Sequence, residues 1–183
     1  MDKFVNSPTP RAGGMSIELD GSVRIAAIRY FDAGAIGEVL RETLAEALPD
    51  AQRVVRSRGA RTDPFMLAWR GPTEAWLLSP SDGPIDAVRK ACETRDDACV
   101  VVQTGGIVAV HACGVRTPDL LARLGSAASI PRPGEARSGR FADVTVTVLG
   151  LAIDEMLLLV ERAYAEHLLG WIRETLADFE PEG

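Results

Sequence analysis

His111 and His167 are the only histidines in the sequence. Any imidazole that works as a base or binds a metal must be one of them. His111 lies in the apolar run Val108-Ala109-Val110-His111-Ala112-Cys113. A general base needs a partner to orient it, and no such residue stands near in sequence, so His111 reads as a hydrogen-bonded strand histidine. Cys113 follows at i+2, on the same face of that strand. A thiol–imidazole pair there lacks an obvious third member. His167, beside Glu166 on the last helix, reads as a surface or interface residue. Cys92 and Cys99 read as small buried side chains. The cysteine count is odd and no CxxC occurs, which signals neither a disulfide framework nor a zinc site. Free thiols suit a reducing cytoplasm.

Glycine-rich phosphate loops are absent. Thr104-Gly105-Gly106 leads into a strand, whereas phosphate loops open helices. Trp69 and Trp76 flank a Gly71-Pro72 turn. Such a pair can stack a planar ligand such as a pterin, but aromatic residues on paired strands more often fill a core or a subunit contact. Asp96-Asp97 and Asp178, Glu180 and Glu182 read as solvated acidic groups at element ends. On this reading no residue is assigned a catalytic, cofactor-binding or metal-binding role.

The elements that would hold these residues are easier to read. The chain has 183 residues, 46% hydrophobic and 25% charged, which suits one globular domain with a core of its own. A net charge of −6 disfavours binding to phosphate backbones. No secretory signal follows Met1, and no apolar run is long enough for a membrane helix. Residues 1–14, with Pro8, Pro10, Gly13 and Gly14, read as a flexible arm. Residues 15–183 then read as one α+β domain.

Residues 15–19 and 23–30 look like strands joined in a hairpin by Asp20-Gly21. Residues 35–48 switch to helical spacing, with Ile36, Val39, Leu40, Leu44 and Leu48 on one face and Pro49 as the stop. Residues 53–56 suggest a short strand, 65–69 and 74–78 a strand pair, and 85–93 a helix capped by Asp82. Strands at 98–103 and 107–113 follow. Thr117-Pro118-Asp119 opens a helix, with Thr117 as the cap. Residues 126–139 read as a long loop, 144–149 and 155–160 as a strand pair, and 164–179 as an amphipathic helix.

The pattern repeats. Residues 67–78, LAWRGPTEAWLL, and residues 146–159, VTVLGLAIDEMLLL, each run strand, turn, Glu, apolar strand and then helix. Glu74 and Glu155 occupy corresponding places, and each pair is preceded by a strand and a helix. The chain therefore reads as a β-α-β-β-α unit written twice.

The same residues carry a resemblance. The hairpin LAWRGPTEAWLL and the terminal run Arg162-Ala163-Tyr164-Ala165-Glu166-His167-Leu168-Leu169-Gly170-Trp171-Ile172 resemble the gamma subunit of heterotetrameric sarcosine oxidase, over roughly residues 20–180. The resemblance implies a fold similar to the folate-binding domain of the glycine-cleavage T-protein, the aminomethyltransferase family. It also implies a cytoplasmic, non-catalytic accessory subunit with alpha, beta and delta partners, in a complex that oxidises sarcosine and passes the one-carbon unit to tetrahydrofolate. FAD, FMN, NAD and tetrahydrofolate belong in that family to the other subunits, and none to this one. The alternative is a free-standing folate- or pterin-binding, aminomethyltransferase-like domain with a pocket near Trp69, Trp76 or Glu74.

Overall fold

The computed structural model describes residues 11–12, 14–57 and 63–179. In chain order the elements are β1 (Arg11–Ala12), β2 (Met15–Asp20), β3 (Arg24–Tyr30), α1 (Ala33–Leu44), β4 (Val54–Arg56), β5 (Met66–Gly71), β6 (Glu74–Ser79) and α2 (Gly83–Cys92). Then come β7 (Ala98–Val102), β8 (Ile107–Cys113), α3 (Thr117–Leu124), a 3-10 turn at Ala127–Ser129, β9 (Ala136–Phe141), β10 (Val144–Ala152), β11 (Glu155–Glu161) and α4 (Arg162–Ala177). The fold is α+β, as expected. The flexible arm expected over residues 1–14 lies mostly outside the described residues, but Arg11–Ala12 within it forms a strand.

The chain divides into two compact units, a continuous one of Ser22–Thr104 and a split one that joins residues up to Gly21 to those from Gly105 onward. The continuous unit is a five-stranded antiparallel sheet in the order β4-β5-β6-β3-β7. On one face its strands pack Ala26, Ile28, Leu67, Ala75 and Leu77 with Ile36, Leu40, Ile85 and Val88 of α1 and α2. The split unit orders its six strands β1-β2-β8-β11-β10-β9. It packs Val110, Ala112, Val146, Val148, Met156 and Leu158 with Leu120, Leu121, Leu168 and Ile172 of α3 and α4. Alternation along each strand sends every second side chain to this helix-covered face, which makes each core a sheet-on-helix layer.

The two sheets match strand for strand: β4 with β9, β5 with β10, β6 with β11, β3 with β8, and β7 with β2. The repeat is real and carries two more strands than the β-α-β-β-α reading placed in each copy: β4 and β9, after the first helix, and β2 and β7, at the start. The strand that comes first in each copy pairs in the sheet of the other: β2 with β8, and β7 with β3. The expected hairpin around Asp20-Gly21 therefore does not form. β2 and β3 belong to different sheets, because each finds a longer antiparallel partner elsewhere than a two-residue turn supplies.

Three further expectations change. The 126–139 loop ends in β9, which pairs with β10 through a tight turn where Ala142 and Asp143 both have positive φ, 47° and 62°. That is the geometry hairpin turns favour. Helix α1 stops at Ala45, whose φ of 56° turns the next N–H, that of Glu46, back to Leu40 O, so the helix ends before Pro49. Asp32 caps this helix by accepting from Gly34 and Ala35 N–H. The caps predicted at Asp82 and Thr117 make no side-chain cap bond. Asp82 instead lies 3.7 Å from Arg24. Thr117 is the first residue of its helix, with Oγ1 buried and unpartnered among the described residues.

Candidate functional site

Both β5–β6 and β10–β11 hairpins carry a bulge just before their glutamates. The register slips between Trp69 and Gly71 in one and between Gly150 and Ala152 in the other. An extra residue on one strand turns the next side chain toward the hairpin end. Glu74 pairs with Gly71 and Glu155 with Ala152, so the correspondence read from the sequence holds in the backbone.

In the continuous unit Glu74 lines a cleft of about 640 Å³. The C-terminal end of β3 supplies Arg29, Tyr30 and Phe31, the β5–β6 turn supplies Thr73, and the entry to β7 supplies residues 95–99. Glu74 accepts from Arg29 Nε at 3.3 Å and Arg70 Nη1 at 2.9 Å. Arg95 grips Asp97 with two bonds of 2.8 and 2.7 Å. Those bonds hold the Asp97 carboxyl below the usual carboxylate range. Burial, and then the charge of Glu74, push the Tyr30 phenol up. Phe31 stands 87% exposed at the rim. The cleft thus offers guanidinium and carboxylate groups already paired with one another, beside one free aromatic face. It can hold a polar, planar molecule by edge contacts and stacking.

The split unit treats the same position differently. Arg29 is opposite Glu74, and Cys113 is opposite Glu155. The next residue is Tyr30 in one unit and Gly114 in the other. Gly114 has φ 130°, and a Cβ there would fall 2.5 Å from Gly14 O and 2.8 Å from Met15 Cα. The chain's own backbone therefore occupies the space that a side chain takes in the continuous unit. Glu155 Oε1 lies 3.1 Å from His111 Nε2, and His111 is buried. The imidazole is thus the hydrogen-bonded strand histidine that its apolar setting suggests. Burial, followed by the charges of Glu155 and Asp154, raises the Cys113 thiol, which disfavours the nucleophilic thiolate.

His167 is exposed and reaches Ala142 O at 3.0 Å, tying α4 to the β9–β10 turn. Cys92 is buried as expected, but Cys99 is exposed, because it sits on the outermost strand of its sheet. Trp69 and Trp76 do not form a pincer. Their cross-strand partners are Ala75 and Ala68, so the two rings leave opposite faces of the sheet. Neither lines the cleft; of the three residues expected around a pocket, only Glu74 does. Sequence reasoning missed Arg29, Tyr30, Arg95 and Asp97, because three separate segments bring them together. Among the described residues, no group of His, Cys, Asp and Glu is arranged to hold a metal ion. No helix is long and apolar enough to cross a membrane.

No protein-family model matches the sequence, and no curated protein matches it. Solved structures do. A chain of the heterotetrameric sarcosine oxidase from Corynebacterium sp. U-96, in complex with pyrrole 2-carboxylate, superposes with a TM-score of 0.82 at 14% identity, covering 96% of this chain and 90% of that one. The glycine cleavage system aminomethyltransferase T from Bartonella henselae superposes with a TM-score of 0.69 at 15% identity. That match covers 87% of this chain and 45% of the other, so the likeness spans about half of that enzyme. The fold is thus the one implied by the resemblance read from residues 67–78 and 162–172.

Proposed function

We propose that this chain is a non-catalytic, gamma-like accessory subunit of a cytoplasmic, heterotetrameric sarcosine oxidase-type complex. In it, alpha and beta partners carry FAD, FMN, NAD and tetrahydrofolate, and a delta partner completes the complex. The complex demethylates sarcosine oxidatively and transfers the one-carbon unit to tetrahydrofolate. The observation that carries the reading is the superposition on a chain of such an oxidase over nearly the full length of both chains. The chemistry of the side chains supports it. Glu155 engages the buried imidazole, Cys113 is held as a thiol, and Glu74 and Asp97 of the cleft are engaged by arginines.

Affinity purification of the tagged chain from its own cytoplasm tests this. The expected eluate contains large flavoprotein subunits, and its flavin absorbance bleaches when sarcosine is added without oxygen. A colourless chain eluting alone overturns the reading.

The cleft at Glu74 favours a second reading, a folate- or pterin-binding domain that acts by itself. Calorimetric titration of the isolated chain with folate is its test. Saturable heat that Glu74→Gln abolishes supports it, and no heat at high ligand removes it.

A further inference from the structure

Natural sheets protect their edges with short strands, charges, bulges or a covering segment, because an open edge templates further pairing. Among the described residues, three of the four sheet edges follow this rule. β4 is three residues long and ends in Arg56. β9 carries Arg137 and Arg140. β1 is only two residues, and it is itself a cover laid antiparallel on β2, with Arg11 opposite Ser16 and Ala12 opposite Met15.

The fourth edge, β7, has none of these devices among the described residues. Its sequence is Ala98-Cys99-Val100-Val101-Val102, without charge, proline or glycine. Val102 is 51% exposed and Cys99 is exposed. β7 is also the counterpart of β2, the strand that β1 covers in the split unit. The bonds Phe31 N–H to Asp97 O and Gln103 N–H to Ile25 O set the phase of the ladder to β3. Residues 97, 99, 101 and 103 bond inward, so the N–H and C=O groups of Ala98, Val100 and Val102 point outward. Among the described residues no backbone partner meets them.

We propose that β7 pairs with β7 of a second copy of this chain, antiparallel about a two-fold axis at Val100, to join two five-stranded sheets. The outward groups are symmetric about Val100. In this register Ala98 faces Val102 of the copy, Val100 faces Val100, and every outward donor meets an acceptor. Charge selects the same arrangement. Arg95, Asp96 and Asp97 come to lie beside Gly105, Thr104 and Gln103 of the copy, with no like charges opposed. Parallel pairing would stack the aspartates. This inference does not depend on the accessory-subunit reading and concerns the chain by itself.

Sedimentation of the purified full chain, from micromolar to sub-millimolar concentration, is the test. A reversible dimer is expected, with association weakened at least tenfold by Val102→Lys, a change at an exposed position that leaves the ladder to β3 intact. Circular dichroism checks that the variant is folded. The register has its own readout. Val101→Cys sets its thiol opposite the native Cys99 of the copy, in a pair that does not exchange hydrogen bonds and so suits a disulfide. Diamide is expected to cross-link this variant and not the parent chain. A monomer throughout the range overturns the proposal. So does a dimer that ignores Val102→Lys and gives no cross-link. A monomer whose β7 amides become protected from exchange only in a complex with other subunits also overturns it, in favour of a foreign strand on this edge.

Discussion

The two units carry one scaffold and two different uses of it. Each has a bulged hairpin with a glutamate after the bulge, and each has helices on one face. Beyond that they diverge at matching positions. Trp69 of the continuous unit corresponds to Gly150 of the split unit, Tyr30 to Gly114, and Arg29 to Cys113. In the continuous unit those positions hold large side chains, of which Arg29 and Tyr30 line an open cleft. In the split unit they hold small ones, and backbone fills the space. Arg132 O lies 2.3 Å from where a Cβ on Gly150 would stand, and Gly14 O lies 2.5 Å from where one on Gly114 would stand. Duplication keeps what the backbone needs. Whether a position becomes cleft or packing depends on whether another segment of chain lies over it.

The largest expected effect tests the two cores. Phe141 and Phe65 are each fully buried. Replacing either by Ala should cost about 3–5 kcal/mol in urea unfolding. Amide exchange should speed up most in the sheet to which the residue belongs, and equal acceleration in both sheets would break the division into two units.

The bulges come next. Gly150→Ala drives a Cβ into the Arg132 carbonyl and strains the bonds from Gly134 N–H to Gly150 O and from Gly150 N–H to Glu135 O. A loss of about 1–3 kcal/mol is expected. Gly71, at the other bulge, has nothing within 4 Å of its Cβ direction. Gly71→Ala should stay within about 0.5 kcal/mol of the parent. Thermal unfolding of both variants checks the contrast, and equal losses would remove the overlying loop as its cause.

The two glutamates should also differ. Glu155→Leu strips the carboxylate from buried His111 and should cost about 1–3 kcal/mol. Glu74→Leu loses two ion pairs to arginines that are themselves about half exposed, and should cost less than about 1 kcal/mol. Chemical denaturation of the two variants ranks them, and the reverse order would mean that the cleft, not the buried pair, is the structural centre.

The smallest effect is one of pH. Arg95 holds Asp97 below the ordinary carboxylate range, and the Arg132 N–H, then Arg137, do the same for Glu135. A carboxyl lowered in the folded state adds stability above its unfolded pKa, about 3.9–4.3 for these residue types. That stability is lost as pH falls through the folded-state value. Asp97→Asn should therefore lower the melting temperature at neutral pH and make no difference in strong acid. A gap that persists in acid would sink this account.

Much of this was legible before any coordinates. The spacing of Leu168, Leu169 and Ile172 marked α4. The repeated run ending in Glu74 and Glu155 marked both hairpins, because period-two alternation and a Gly-containing turn are local signals. β9 escaped notice because Arg137, Ser138, Gly139 and Arg140 give an edge strand no apolar rhythm. Cys99 was misplaced for a related reason, since an apolar strand sequence does not say whether the strand lies inside a sheet or at its rim. Trp69 and Trp76 looked like a pair because only six residues separate them across a turn. One bulge and the pleat put them on opposite faces.

The sequence by itself determined the alternation of strands and helices, the doubling of the unit, and which faces are apolar. These follow from side-chain period and from turn residues only a few positions apart. Only the tertiary structure decided which sheet each copy's first strand joins, that Arg29, Tyr30, Glu74, Arg95 and Asp97 share a cleft, and that β7 is left open while β2 is covered. Those outcomes depend on pairing between segments tens of residues apart. Many registers satisfy the local pattern, and the one that forms closes the most ladder hydrogen bonds and packs both cores at once.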